Sequence, residues 1–134
     1  MTQTLHKIAR DYFAALSAGN IPDDMLTDDM TAWTTSSGID QPREKYVGGV
    51  KMLGSLFEGG LQYSIETLTA EGDRVVAEVR GSGTLINGDS FQNRYVFVLR
   101  IRDGKIASVA EHFNPDPVRQ QIVPLIQAAM AKQS

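Results

Sequence analysis

Cysteine is absent from the 134 residues. That excludes disulfides, thiolate metal sites and cysteine nucleophiles together. Histidine is nearly absent: His6 and His112 are the only two, far apart and without ligand spacing, so no metal site is expected. Positive charge is not in excess either. Thirteen Lys and Arg face sixteen Asp and Glu, for a net charge of −3 and a pI near 5.3. Such a chain carries no electrostatic footprint for nucleic acid or an anionic membrane surface. No apolar run approaches the ~20 residues of a membrane span, and Met1-Thr2-Gln3-Thr4 lacks a signal-peptide pattern. A cytoplasmic protein is the expectation. Internal repeats and low-complexity segments are also missing.

What remains is an ordinary globular composition, 42% hydrophobic and 22% charged, in a length that suits one domain over 1–134. The most legible stretch runs from Leu61 to Phe113. Three turn signals divide it: Glu71-Gly72-Asp73, Asn87-Gly88-Asp89 and Asp103-Gly104. Asn-Gly and Asp-Gly supply the positive φ that tight hairpins demand. Strands are therefore expected over about 61–70, 74–86, 90–102 and 105–113. The middle two reach roughly 40 Å, and strands of that length accumulate twist. A strongly curved antiparallel sheet results, with a hollow side that helices or a ligand must fill.

Helical periodicity predicts a first helix over about 4–18, with Leu5, Ile8, Ala9, Tyr12 and Leu16 on one face and Gly19-Asn20 as its stop. Pro22 to Leu26 reads as a short helical turn, and Thr31 to Thr35 as a short strand ended by Ser36-Ser37-Gly38. A second helix is expected over about 42–57, with Tyr46, Val50, Leu53 and Phe57 as its apolar stripe. Gly48-Gly49 inside it costs up to ~1 kcal/mol per glycine, for which close packing or plain tolerance are equal explanations. A last helix over about 117–131 takes Asp116 as cap and Pro117 as first residue, with Pro124 interrupting it. Helices gathered on one side of an antiparallel sheet define an α+β fold.

Strand alternation decides what faces the hollow. In 90–102 the odd positions, Phe91, Asn93, Tyr95, Phe97, Leu99 and Ile101, are the apolar set. In 74–86 the inward residues are Val75, Ala77 and Val79. In the last strand one face holds Ala107, Val109, Glu111 and Phe113, the other Ser108, Ala110 and His112. Glu111 therefore falls among hydrophobic neighbours. An unpaired carboxylate there is costly, so its pKa should rise toward neutrality, as suits a general acid or base. Two bland readings stand beside this one: an ion pair with an arginine, or a place at the open rim. The even faces of the long strands, with Val76, Val96 and Val98 beside Glu78, Arg80, Arg94 and Arg100, suit either a subunit contact or solvent.

The order of elements resembles the cone-shaped fold shared by nuclear transport factor 2 and ketosteroid isomerase. The segment Asn93 to Ile106, with its Asp103-Gly104-Lys105-Ile106 hairpin, followed by Glu111-His112-Phe113-Asn114, resembles the SnoaL-like branch of that superfamily. Leu26-Thr27-Asp28-Asp29 with Trp33 is similar to its acidic loop before a strand tryptophan. The resemblance implies an NTF2-like cone with an extra C-terminal helix, a homodimer, and an acid in the last strand acting as base. It matches Tyr12 to the oxyanion-hole tyrosine of the steroid isomerases. Thr34 stands at their catalytic aspartate and Phe97 near their oxyanion aspartic acid, so steroid isomerisation itself is not implied. Limonene epoxide hydrolase is similar at Glu111, but Val79 and Gly81 fall where it has the rest of its triad.

The expected function is cofactor-independent acid–base chemistry, of isomerase, cyclase or epoxide hydrolase type, on a small apolar or carbonyl-containing ligand. Glu111 and Tyr12 are the candidate catalytic residues. Tyr63, Asn93, Tyr95, Phe97, Phe113 and Trp33 are the candidate substrate contacts. The competing reading is a non-catalytic module of the same fold that binds a hydrophobic ligand or dimerises, in which the tyrosines are satisfied core residues. A transport adaptor would need an exposed apolar patch that nothing in the sequence marks.

Overall fold

The computed structural model describes residues 2–132. Helix α1 (Thr2–Ala18) is followed by a 3-10 turn (Asp23–Met25), strand β1 (Leu26–Thr34), a three-residue strand β2 (Asp40–Pro42) and helix α2 (Arg43–Ser55). Strands β3 (Gln62–Glu71), β4 (Arg74–Thr84), β5 (Ser90–Arg102) and β6 (Lys105–Phe113) then form the meander expected from the turn signals. The six strands make one sheet in the order β2-β1-β6-β5-β4-β3. Only β1 and β6 run parallel; the other neighbours are antiparallel. This is the α+β NTF2-like fold, with N-terminal helices in the hollow of the sheet and a helical C-terminal segment.

The sheet bends where its ladders slip. β3 shifts register against β4 between Ile65 and Thr67, and β5 against β6 at Arg100/Ile101. Such bulges raise the local twist and curl a sheet. The turn at Asp103-Gly104 places both residues at positive φ, 54° and 75°, as a two-residue hairpin of the favoured hand requires. On the concave face Val75, Ala77, Val79, Phe97, Leu99 and Val109 are almost fully buried against Ala9, Tyr12, Phe13 and Leu16 of α1. The rings of Phe13 and Phe97 meet edge to face at 4.9 Å, and Tyr12 meets Phe13 at 5.4 Å.

Several boundaries differ from the sequence expectation. The acidic stretch Leu26–Asp29, expected as a loop, is the first part of β1. There β1 advances from Leu26 to Thr31 while β6 advances only from Ile106 to Ser108, so a bulge carries Asp28 and Asp29 out to solvent. β2 went unrecognised because three residues ending in proline carry no periodicity; it is an edge strand, where a missing N–H is tolerated. Helix α2 stops at Ser55, and Phe57 instead bridges to Leu85.

The C-terminal segment also begins earlier than expected. Asn114, not Asp116, is the cap: its side chain accepts from the Asp116 N–H at 3.0 Å, with Pro115 first in the turn Pro115–Pro117. A π-turn (Val118–Ile122) follows, and a regular helix restarts over Val123–Ala131 with Pro124 in its first turn. Proline interrupts the segment as its chemistry demands.

Hydrogen bonds to backbone stitch these pieces around the hollow. The Arg43 guanidinium donates to the carbonyls of Leu26, Thr27 and Asp23 at 3.1, 3.0 and 2.9 Å, tying the start of α2 to the start of β1. Ser17 Oγ accepts from the Tyr63 N–H at 2.9 Å and so locks the end of α1 to β3. Gln121 Nε2 reaches the Ser90 carbonyl at 2.8 Å and docks the π-turn on β5.

Candidate active site

Between α2, the concave face of the sheet and the C-terminal segment lies a cavity of about 250 Å³. It is at the small end for ligand pockets and suits a compact molecule. The sheet contributes Ala32, Thr34, Tyr63, Phe91, Tyr95, Glu111 and Phe113; α2 contributes Lys45, Tyr46, Gly49, Val50 and Leu53; the π-turn contributes Val118 and Ile122. A Cβ added at Gly48 or Gly49 would meet nothing within 4 Å, so close packing does not explain this glycine pair. Gly81 is different: a Cβ there would lie 2.7 Å from the Tyr95 ring, so only glycine lets that ring occupy its place.

Among the described residues, Glu111 is the one carboxyl lining this cavity. Alternation in β6 turns it inward with Val109 and Phe113, and the backbone at its end is fixed by Thr35. The Thr35 N–H donates to the Glu111 carbonyl at 3.1 Å, and Thr35 Oγ1 accepts from the Phe113 N–H at 3.1 Å. The carboxyl itself has no hydrogen bond and no ion pair among the described residues. The arginine partner of the bland reading is therefore not there. Burial among apolar side chains raises its pKa from 4.5 to about 7, and no neighbouring charge opposes the rise. At neutral pH this group is divided between acid and base, the condition under which a carboxyl can both take and return a proton.

Three tyrosines share the cavity. Burial pushes the Tyr46 and Tyr63 hydroxyls well above the ordinary tyrosine value, and the negative charge of Glu111 adds to the rise. Tyr95 is raised for the same two reasons, partly opposed by the Asn93 side chain beside it. All three remain neutral hydrogen-bond donors next to a carboxylate. Their rings interlock: Tyr63 and Tyr95 lie 5.8 Å apart, and Tyr95 and Phe113 5.6 Å.

The structure brings together Glu111, Tyr63, Tyr95 and Phe113 of the residues singled out from sequence, and places the other four elsewhere. Tyr12 is fully buried beneath the cavity, and its hydroxyl is hydrogen-bonded to that of Tyr46, which faces the cavity in its stead. Phe97 is fully enclosed in the core under Tyr63 and Tyr95. Asn93 donates from Nδ2 to the Asn114 carbonyl at 2.9 Å, holding the start of the C-terminal segment. Trp33 lies on the outer face against His112, with ring centroids 4.8 Å apart. Its neighbours Ala32 and Thr34 line the cavity, and strand alternation then forbids the same of Trp33.

Tyr46 is the residue that sequence reasoning missed as a site residue. Its signal was present: it falls on the apolar stripe of α2, where a hydroxyl must find a partner. Lys45 and Gln41, also lining the cavity, carry no such mark. No cluster of three or more His, Asp or Glu side chains suited to a metal ion occurs among the described residues. No described helix is long and apolar enough to cross a membrane.

Comparison with known proteins agrees with this architecture. No curated protein matches the chain. Among solved structures, an NTF2-like protein from Anabaena variabilis is 25% identical, with a TM-score of 0.73 over 84% of this chain and 88% of its own. AclR of Streptomyces galilaeus, described as a candidate hydroxylase, is 17% identical with a TM-score of 0.78 over 88% of this chain and 94% of its own. IdmH of Streptomyces antibioticus, a candidate polyketide cyclase, is 15% identical with a TM-score of 0.76 over 88% and 97%. Likeness at 15% and 17% identity speaks for the fold alone. The family profile of the SnoaL-like domain matches residues 9–109, three quarters of the chain. With that match and this fold, the protein belongs to the SnoaL-like domain family.

Proposed function

We propose that the protein is a cofactor-independent enzyme in which Glu111 moves a proton on a small carbonyl compound. The observation that carries this is a carboxyl without a partner in an apolar cavity, its pKa raised to about 7. Glu111 as carboxylate abstracts a proton from the carbon α to the carbonyl. Negative charge then develops on the carbonyl oxygen, and a neutral tyrosine hydroxyl stabilises it. Tyr46 is the leading donor. When the Tyr12 hydroxyl donates to the Tyr46 oxygen, the Tyr46 proton is left free to point into the cavity. Protonated Glu111 returns its proton to a different atom for isomerisation, or to the product of an intramolecular carbon–carbon bond closure for cyclisation. The candidate cyclase among its structural relatives makes the second outcome chemically reasonable for this fold.

The test is proton exchange. Methyl ketones, lactones and diketones are incubated with the protein in deuterium oxide, and incorporation at the α-carbon is followed by NMR. Glu111→Gln is expected to abolish exchange while the circular dichroism spectrum is unchanged. Full exchange in that variant would remove Glu111 from the mechanism. Ligand binding with no exchange in the wild-type protein would favour the non-catalytic module.

A further inference from the structure

We propose that the ligand of this cavity is an amphiphilic keto acid, its carboxylate held at Lys45 and its apolar end against Ile122. The proposal rests on the reading of Glu111 as the group that handles the ketone, and adds to it which molecule presents that ketone.

The cavity is chemically polarised along its length. At one end a cluster of buried apolar side chains, including Leu61, Phe91 and Ile122, closes the space with Leu53 and Val118 packed on it. At the other end, Ser37, Gln41 and Lys45 line it, and of these Ser37 and Lys45 are exposed. Glu111 lines the sheet wall of the same cavity. Helix α2 runs along this axis: Lys45, Gly49 and Leu53 recur at i, i+4 and i+8 on its cavity side, a distance of about 12 Å.

Across the sheet, Gln41 on β2 pairs with Ala32 on β1, and β1 pairs with β6 at Thr34 and Glu111. Two strand spacings separate the Gln41 and Glu111 strands, about 10 Å. A carboxylate directly beside the reacting ketone does not span that gap. One placed several methylenes away does.

Lys45 is the one cation among the described lining residues, and no ion pair in the described structure includes it. Its flexible stem can lie along the apolar wall while the ammonium stays at the wet mouth. A single ammonium with one neutral amide matches a singly charged carboxylate. A dianion such as a phosphate monoester would leave a second charge uncompensated near Glu111. An apolar molecule without an anionic end would leave the polar end unused.

The probes are straight-chain keto acids with two to five methylenes between carboxylate and ketone and a propyl tail beyond the ketone, each beside its methyl ester. Binding is measured by calorimetry. Affinity is expected to rise with spacer length, and the longer acids should bind roughly tenfold or more tightly than their esters, as a charge-assisted hydrogen bond implies. Lys45→Met should erase that preference, and Glu111→Gln should keep it. Equal binding of acid and ester, a preference that survives Lys45→Met, or failure of every acid to bind would each overturn the proposal. Failure of the proton-transfer reading looks different: the acids bind with the Lys45-dependent preference, yet deuterium does not enter beside the ketone.

Discussion

Glu111 should weaken the fold at neutral and alkaline pH, and the size of that effect follows from its surroundings. Its carboxyl is expected to titrate near 4.5 in the unfolded chain and at about 7 in the folded one. Between those values the folded protein holds a proton that the unfolded chain has released. Stability therefore falls as pH rises across that window, and stays lowered above it. At about 1.36 kcal/mol per pH unit, the gap amounts to about 3 kcal/mol, as an upper bound because the cavity mouth admits some solvent. Glu111→Gln removes the titration while keeping the shape. The variant should match the wild-type protein below about pH 4.5 and exceed it by up to about 3 kcal/mol near pH 8. In a domain of this size that is a gain in melting temperature of roughly 10 °C. Urea melts and thermal scans at a series of pH values measure the difference directly. A difference that does not change with pH, or a Gln variant less stable than wild type at pH 8, would refute the argument. On the proposed mechanism the same variant should lose α-proton exchange, so stability and activity should move in opposite directions.

Three further outcomes follow from particular contacts. Tyr12→Phe removes the hydrogen bond to Tyr46 without opening space; it should cost about 1 kcal/mol of stability and lower kcat roughly tenfold with KM little changed, because Tyr12 supports the donor without touching the ligand. Unchanged kcat would mean that the Tyr46 hydroxyl needs no such support. Gly81→Ala places a Cβ 2.7 Å from the Tyr95 ring and should cost ~1–3 kcal/mol, read as an earlier urea midpoint together with weaker ligand binding. The homodimer expected from sequence would use the outer sheet face, where Val96 is 38% exposed beside Val76 and Val98. Sedimentation should show a dimer at micromolar concentration and a monomer for Val98→Glu, whereas a monomeric wild-type protein would dismiss that expectation.

The sheet was legible because its information is local. Glu-Gly-Asp, Asn-Gly and Asp-Gly turns set three hairpins, and strict alternation in β5 fixed which side chains face the hollow, down to Glu111 one strand over. Local signals fail where the deciding contact is distant. Trp33 reads as an apolar wall residue by its chemistry, but the pairing of β1 with β6 puts Ala32 and Thr34 inside and Trp33 out. Tyr12 reads as a site residue by resemblance, but α2 crosses above it, and Tyr46 takes the cavity. The start of β1 carries two adjacent aspartates that suit a loop, and only the bulge against β6 accommodates them in a strand. None of these three facts is written in the immediate neighbourhood of the residue concerned.

The family match and the candidate chemistry occupy different parts of the chain. The SnoaL-like profile ends at residue 109. Glu111, Phe113, Val118 and Ile122, which supply the carboxyl and one closed end of the cavity, all lie beyond it. The matched region builds the cone, and a cone of this kind is compatible with many reactions. What would restrict the proposed reaction is an unpaired carboxyl at the end of the last strand, a tyrosine brought to the cavity by α2, and a proline-interrupted segment on its wall. An isolated buried carboxyl is a burden for a binding module, since an apolar residue of similar volume would improve the fold. Its place in the cavity, beside three neutral tyrosines, is the arrangement that the proposed proton transfer would use.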